Sequence, residues 1–220
     1  MIDFLYDLVR GPLVWIAFAL FILGSVYRLF TMYNMAKKEK VVFPYMDFKF
    51  GMRSIFHWMI PYASMNMRMR PFFTAMSFLF HICLFLTPIF VFAHIALWNI
   101  NWGISWWYIS DSIANIMTIL VVIIGIGFLF RRIADPMVRK ISTYKDYVFN
   151  LAVLSPFIFG LLAYYHVFNA EKTIETLHIL SGCIWLGMIP FTRASHMIFF
   201  PFTRAYMGGE FGLVRKSKDW

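Results

Sequence analysis

Six histidines are the side chains of this sequence best suited to do chemistry, and four of them lie inside long apolar runs. His81 and His94 belong to one run, and His178 and His196 belong to another. Ionisable residues inside a membrane are costly and rare, so each marks a functional site by default. Neither run contains an acidic residue that would pair with these histidines. Neutral imidazole is the commonest metal ligand in proteins, so these four are candidate metal ligands.

Composition and apolar runs predict an all-α integral membrane protein. Hydrophobic residues make up 61% and charged residues 14% of the 220, against about 45–50% and about 25% in soluble domains. One bundle of five transmembrane helices follows, as a single domain over 1–220, because a span needs about 20 apolar residues. The helices are expected at about 12–32, 72–98, 112–130, 148–168 and 176–199, with a long loop at 33–71.

The basic residues predict the orientation of these helices. All but Arg10 and Lys172 of the 20 Lys and Arg residues fall at the ends of helices one, three and five or in the segments that follow them. Basic residues concentrate on the cytoplasmic side of membrane proteins. We therefore expect the N-terminus outside, the C-terminus and loop 33–71 in the cytoplasm, and a location in the cytoplasmic (inner) membrane.

The predicted orientation places the four histidines in two pairs at matching depth. His94 and His178 lie toward the outer face, and His81 and His196 lie toward the cytoplasm. Two imidazoles that face each other can hold a haem iron from both sides. The sequence therefore predicts two haem b groups.

The spacing within each helix affects this pairing differently. His178 and His196 are 18 positions apart, about five whole turns, so on one straight helix they point the same way. His81 and His94 are 13 positions apart, about 3.6 turns, and point in different directions on a straight helix. Two explanations stay open: a kink at Pro88, or two haems against different faces of helix two.

Several residues near the histidines suit a haem but have ordinary explanations too. Arg193, Arg131 and Arg132 are candidate partners of haem propionates, although basic residues at cytoplasmic helix ends are expected anyway. Three small residues of helix five would admit a porphyrin and equally suit close helix packing; they are Ser181, Gly182 and Gly187.

Other function classes lack their sequence signals. Cys83 and Cys183 form no CxxC pair, and buried thiols of this kind usually pack as small hydrophobes. The net charge of +9 is explained by membrane topology, so nucleic-acid binding is not expected. The chain shows no nucleophile constellation, phosphate loop or thiolate cluster.

The loops carry two further histidines and an aromatic cluster. Segment 98–111, rich in tryptophan, is predicted to lie at the outer interface, where indole rings favour the headgroup level. His166, near the outer end of helix four, is either interfacial or close to a quinone headgroup. His57 lies in the apolar segment 50–62, which is expected along the cytoplasmic interface. The basic, methionine-rich segment 65–70 suits either lipid headgroups or a partner subunit.

Several short motifs together carry a resemblance to a known family. They are Leu79-Phe80-His81-Ile82 with His94, Leu177-His178, Pro190-Phe-Thr-Arg193 with His196, and Phe130-Arg-Arg132. With the 18-residue spacing, these motifs resemble the gamma-subunit family of respiratory nitrate reductase, the five-helix membrane cytochromes b. The longer helix-two spacing and segment 56–61 depart from that family. They look closer to the cytochrome b subunits of Tmc- or Dsr-type transmembrane redox complexes of sulfate reducers.

The resemblance implies an electron-transfer role. His94 and His178 would hold an outer haem b and His81 and His196 an inner one. Electrons would pass between a periplasmic multihaem cytochrome c or menaquinol and a cytoplasmic iron–sulfur subunit in anaerobic respiration, with a menaquinone site left open. By itself the chain would be the electron-transfer subunit of an oxidoreductase complex. Two alternatives stay open: a histidine-based transporter of metal ions or protons, and a haem-free membrane anchor.

Overall fold

The chain is a multi-pass helical membrane protein. The computed structural model describes residues 2–167 and 170–219. Among these residues, five helical segments are long and apolar enough to cross a bilayer, for which about 20 residues are needed. They are Ile2–Lys38, Pro71–Phe90, Asp111–Ala134, Tyr144–Tyr164 and Glu171–Phe191. The predicted all-α class with five membrane-spanning helices is confirmed.

Eleven α-helices build the described part of the chain. They are α1 (Ile2–Leu8), α2 (Val14–Lys38), α3 (Phe48–Met59), α4 (Met65–Met69), α5 (Pro71–Phe90), α6 (Phe92–Trp102), α7 (Asp111–Ala134), α8 (Pro136–Lys140), α9 (Tyr144–Tyr164), α10 (Glu171–Met188) and α11 (His196–Gly209). The described residues form no β-strand beyond an isolated bridge between Val91 and Ile109. Helices satisfy their own backbone groups, which hydrocarbon requires of any spanning segment.

The first and fourth spans begin earlier along the chain than predicted. The first runs through a π-helical turn at Val9–Leu13 that contains Pro12; because proline has no N–H, it disturbs the regular hydrogen-bond ladder there. The fourth begins at Tyr144 and ends at Tyr164. The predicted end at Phe168 lies outside the described residues.

The prediction of one continuous fifth helix over 176–199 is wrong. Helix α10 ends at Met188, and two short 3-10 turns, Ile189–Phe191 and Arg193–Ser195, come before α11 begins at His196. Pro190 lies where a regular helix would need an N–H, and Thr192 is extended at φ −123°. The argument that His178 and His196 point the same way along one helix therefore fails.

The chain divides into two compact units. The first comprises the residues up to Val14 and Met76–Trp185, and the second comprises Trp15–Ala75 and the chain from Leu186 onward. In the first unit, α7 packs on α9, and Leu154 of α9 lies so close to Gly125 that a Cβ there would collide with it. The prediction of one domain over 1–220 stays a prediction.

In the second unit, α3 packs closely against α11. Gly208 lies directly against the carbonyl of Phe50, and a Cβ on Gly51 would come within 3.2 Å of the Ala205 Cβ. Small residues allow this close approach of two backbones. The segment after α2 thus folds as a helix against the chain that follows the last span.

Two aspartates organise the short connection between α7 and α9. Asp135 accepts hydrogen bonds from the N–H groups of Met137 (2.9 Å) and Val138 (3.4 Å) at the start of α8. Asp146 accepts from the N–H and the hydroxyl of Thr143, at 2.8 and 3.1 Å, which forms a capping box at the start of α9. These contacts satisfy orphan donors at the two helix starts.

Glu39 closes the end of α2 in the second unit. Its carboxylate accepts hydrogen bonds from the N–H groups of Val41 (2.8 Å), Val42 (2.6 Å) and Phe43 (3.3 Å), and from the hydroxyl of Tyr206 (3.1 Å). The backbone donors of Val42 and Val41 hold the pKa of Glu39 below its ordinary value. Partial burial and the bond to Glu39 raise the pKa of Tyr206.

We predict that Glu39→Gln lowers the melting temperature of the detergent-solubilised protein at neutral pH. Glutamine keeps one acceptor oxygen but turns an amide N–H₂ toward backbone donors. Because the folded-state pKa of Glu39 is lowered, its stabilisation is complete above its ordinary pKa and is lost as the pH falls through the lowered value. The difference in Tm between wild type and variant should therefore shrink on acidification.

The matched variant Tyr206→Phe removes one of the four donors and should lower Tm by a smaller amount than Glu39→Gln. A Tm difference for Glu39→Gln that stays constant from neutral pH down to about 3 would contradict the assigned role of the ionised carboxylate.

Candidate functional site

Two of the predicted histidines meet in the first unit. His94, in α6, and His178, in α10, have ring centroids 6.0 Å apart and ring planes inclined at 32°. Two imidazoles that bind one metal ion from opposite sides, with bonds of about 2 Å each, place their ring centres about 6 Å apart. The separation therefore fits a shared metal ion. Both side chains are half-buried.

Backbone carbonyls fix the tautomer of both rings. Nδ1 of His94 lies 2.8 Å from the carbonyl oxygen of Pro88, and Nδ1 of His178 lies 2.8 Å from that of Pro156. A carbonyl oxygen only accepts, so Nδ1 is the donor in each pair and Nε2 carries the lone pair. Metal-binding histidines are typically oriented in this way, with the second ring nitrogen donating to a carbonyl or carboxylate.

An interruption of the second span places His94. Helix α5 ends at Phe90, Val91 is extended (φ −70°, ψ 132°), and α6 restarts at Phe92. The prediction of one continuous helix over 72–98 is therefore wrong. The interruption changes the direction of the residues that follow, so the straight-helix argument from the 13-residue spacing between His81 and His94 no longer applies.

The interruption leaves three carbonyls without their usual helical donors, and each finds another. In a continuous helix they would accept from the N–H groups of residues 92, 93 and 94. Instead, the Pro88 carbonyl accepts from the His94 ring, the Ile89 carbonyl from the Trp106 indole at 2.9 Å, and the Phe90 carbonyl from the Ile109 N–H at 3.0 Å. An unsatisfied carbonyl in an apolar medium costs several kcal/mol, so these three donors stabilise the interruption.

The aromatic segment after α6 therefore has a structural role that sequence reasoning missed. It was predicted as an interfacial belt, yet it also supplies two of the three donors at the interruption. Trp107 stacks on Phe90 with ring centroids 4.1 Å apart, and Tyr108 packs edge-on against Phe92 at 5.1 Å. Pro88, with the β-branched Val91 three positions later, was the available sequence signal for a break in this helix.

Helix α9 positions His178 through a residue that the sequence did not single out. A Cβ on Gly160 would come within 3.3 Å of Cε1 and 3.4 Å of Nδ1 of His178. Glycine at this position leaves room for the imidazole to reach the Pro156 carbonyl, one turn earlier on the same face. The missing N–H of Pro156 leaves the Ala152 carbonyl without its helical donor, and the hydroxyl of Ser155 donates to that carbonyl at 3.0 Å.

The three small residues of the fifth span separate into two roles. Gly182 follows His178 by one turn, and no described atom lies within 4 Å of the position its Cβ would take. Gly187 packs against α2, with its Cβ position 3.6 Å from Leu20. Ser181 donates to the carbonyl of His178 at 2.9 Å. The helix surface beside His178 is therefore open at Gly182, while Gly187 serves helix packing.

The remaining pair of predicted ligands has the same tautomer. Nδ1 of His81 donates to the carbonyl of Ser77 at 2.7 Å, and Nδ1 of His196 donates to that of Arg193 at 2.6 Å. In both rings Nε2 is therefore the nitrogen with the lone pair. His81 belongs to the first unit and His196 to the second; that they share a haem stays a prediction.

The predicted propionate partners lie at the ends of their helices. Arg132 donates from Nη1 to the hydroxyl of Ser142 at 3.1 Å, and Nε of Arg131 lies 3.9 Å from the Asp135 carboxylate. Arg193 lies in a 3-10 turn rather than on the helix face of His196. The role of these three arginines toward a haem stays a prediction.

The two loop histidines belong to different units, His166 to the first and His57 to the second. Nδ1 of His166 lies 3.0 Å from the carboxylate of Glu171, and both side chains are largely exposed. His57 lies in α3 of the second unit.

Among residues 2–167 and 170–219, no three or more His, Cys, Asp and Glu side chains cluster as a metal site. These residues therefore form no metal site in which all ligands are protein side chains. A haem supplies four ligating nitrogens of its own and needs at most two axial ligands from the protein.

Comparison with known proteins adds a relative but no activity. A protein of Nitratidesulfovibrio vulgaris (strain Hildenborough), described only as "Protein", is 28% identical over 216 residues, which cover 96% of this chain and 95% of the relative. No family model matches the sequence. The similarity extends over nearly the whole length of both chains.

We predict that Trp106→Phe destabilises the first unit. The substitution keeps an aromatic ring but removes the indole donor of the Ile89 carbonyl, and a hydrogen bond of this kind contributes about 0.5–1.5 kcal/mol. Hydrogen exchange measured by mass spectrometry should rise in the peptide that covers 88–95.

Trp107→Phe is the matched control, because it retains ring stacking on Phe90 and should leave exchange in that peptide close to wild type. Equal exchange in wild type and Trp106→Phe would contradict the role of the indole at the interruption.

Proposed function

We propose that this chain is a dihaem cytochrome b subunit of a respiratory membrane complex, which carries electrons across the bilayer. The observation that supports it most is the His94–His178 pair. Its 6.0 Å ring separation suits two axial imidazoles on one iron. Its two Nδ1–carbonyl bonds leave Nε2 of each ring as the ligating nitrogen.

The protein residues would hold and orient the group. His94 and His178 would be its axial ligands, each fixed in rotation by the carbonyl to which it donates. Gly160 keeps the position of His178, and the open surface at Gly182 gives space beside it. A haem b bound there supplies an iron that takes up and releases one electron.

The second haem and the partners belong to the same proposal. His81 and His196 each present Nε2 as the lone-pair nitrogen, which supports their use as axial ligands. An outer donor, either a periplasmic multihaem cytochrome c or menaquinol, would exchange electrons with a cytoplasmic iron–sulfur subunit across the inner membrane. One charge moved across the membrane potential corresponds to about 2.3 kcal/mol per 100 mV, so electron transfer here would respond to that potential.

The proposal predicts two haem b groups per chain in detergent-purified protein. His94→Ala and His178→Ala should each lose the same component of the reduced-minus-oxidised spectrum, because each removes one ligand of one iron. His81→Ala and His196→Ala should lose the other component. The measurement is haem content per chain together with difference spectra.

His57→Ala and His166→Ala are the matched controls and should keep both components. A folded wild-type preparation without haem would overturn the proposal and favour a haem-free anchor or a histidine-based transporter. One haem per chain, lost in both the His94 and His178 variants, would restrict the proposal to the outer site.

A second prediction concerns the ligand geometry. Gly160→Ala should weaken or displace the bond between His178 and its iron, because the new methyl group would lie 3.3 Å from the ring. Overpacking of this kind costs about 1–3 kcal/mol. Electron paramagnetic resonance should show part of the outer haem changing from low spin to high spin.

Gly127→Ala in α7 is the control, since no described atom lies within 4 Å of the added carbon. If Gly160→Ala and Gly127→Ala gave the same spectrum as wild type, Gly160 would have no role in positioning His178.

A further inference from the structure

The second unit carries an open cavity on its surface that the proposed electron-transfer role does not use. Its volume is about 460 Å³, and its walls come from the end of α3, from α4, from α11 and from the chain after α11. Methionine and aromatic side chains form much of the wall. Six polar or amphipathic residues complete it: Trp58, Ser64, Asn66, Arg204, Lys218 and Asp219.

Two buried polar atoms of this wall have no hydrogen-bond partner among the described residues. One is Oδ1 of Asp219, whose side chain is 1% exposed; the other is the indole Nε1 of Trp58. Oδ2 of the same carboxylate accepts from the hydroxyl of Ser54. Buried polar groups nearly always have a partner. Both residues line the cavity, so a ligand there that reached these two atoms and could both donate and accept would satisfy them.

The charge of the wall favours an anionic ligand group. The guanidinium of Arg204 lies 4.6 Å from the Trp58 ring centre, stacked over it, and 3.9 Å from Oδ2 of Asp219. A guanidinium carries five donors, and Lys218 adds an ammonium group. The lining residues therefore include two cationic side chains and one carboxylate, a balance that suits a phosphate group.

The cavity also lies close in sequence to the membrane-spanning helices. Met69, in its wall, comes two residues before the span that begins at Pro71. Met65, Met69 and Phe72 expose more than half of their surface. A span enters the hydrocarbon from the headgroup level, so apolar side chains beside this cavity suit an acyl chain.

We propose that this cavity binds the headgroup of a phospholipid that carries an O–H or N–H donor. The phosphodiester would accept from Arg204, Lys218 and the indole N–H of Trp58. The ammonium of phosphatidylethanolamine or a hydroxyl of phosphatidylglycerol would donate to Oδ1 of Asp219. Phosphatidylcholine has no such donor and would leave that oxygen unpaired. The site is independent of the histidine pair and of haem.

The test is native mass spectrometry of the detergent-purified full chain, titrated with the three phospholipids carrying identical acyl chains and, separately, with inorganic phosphate. We expect one molecule of phosphatidylethanolamine or phosphatidylglycerol per chain, bound about tenfold more tightly than phosphatidylcholine, the factor that one hydrogen bond of typical strength supplies.

Trp58→Phe keeps an aromatic ring for Arg204 but removes the indole N–H, so it should weaken binding of the preferred lipid about tenfold. Arg204→Gln should weaken binding at least as much. Lys140→Gln, in α8 and away from the cavity wall, controls for the loss of a positive charge and should bind as wild type does. The melting temperature of each variant establishes that it is folded.

Three results would overturn the proposal. Equal retention of all three lipids, unchanged in Trp58→Phe, would mean ordinary annular lipid. Competition by inorganic phosphate at similar concentration would mean a free-anion site. If a quinone co-purified with the chain and none of the three phospholipids displaced it, the cavity would be assigned to a different ligand.

Discussion

Every backbone carbonyl inside hydrocarbon needs a donor, and the candidate site depends on how this chain meets that constraint. The second span is interrupted at Val91, and three carbonyls lose their helical donors there. A histidine ring, a tryptophan indole and a backbone N–H replace those donors. The same interruption that would otherwise destabilise the span therefore fixes His94 in orientation and in tautomer.

The four histidines predicted as haem ligands share this relation to the backbone. Each donates from Nδ1 to a carbonyl, and the acceptors belong to Ser77, Pro88, Pro156 and Arg193. Two of the acceptors are prolines, which occur where helices α5 and α9 depart from the regular ladder. Neutral imidazole buried in an apolar bundle needs a hydrogen-bond acceptor for its N–H. Once the backbone supplies it, the remaining nitrogen is prepared to bind a metal.

On the basic side of the chain, a few acidic residues organise the structure. Glu39 gathers three N–H groups at the end of α2, Asp135 and Asp146 cap α8 and α9, and Asp219 lies buried beside Arg204. Carboxylates near helix starts satisfy orphan N–H groups and favour the positive end of the helix dipole.

The sequence by itself determined the spans, the helical class and the candidate histidines, because hydropathy and the rarity of intramembrane ionisable residues are local properties. It also paired His94 with His178 by depth, and these rings do lie 6.0 Å apart; their role as haem ligands stays a prediction. Only the tertiary structure decided where helices two and five are interrupted. The interruption after Phe90 depends on donors distant in the chain, such as the Trp106 indole for the Ile89 carbonyl. The orientation of His178 depends on an equally distant acceptor, the Pro156 carbonyl, and no local periodicity reveals such contacts.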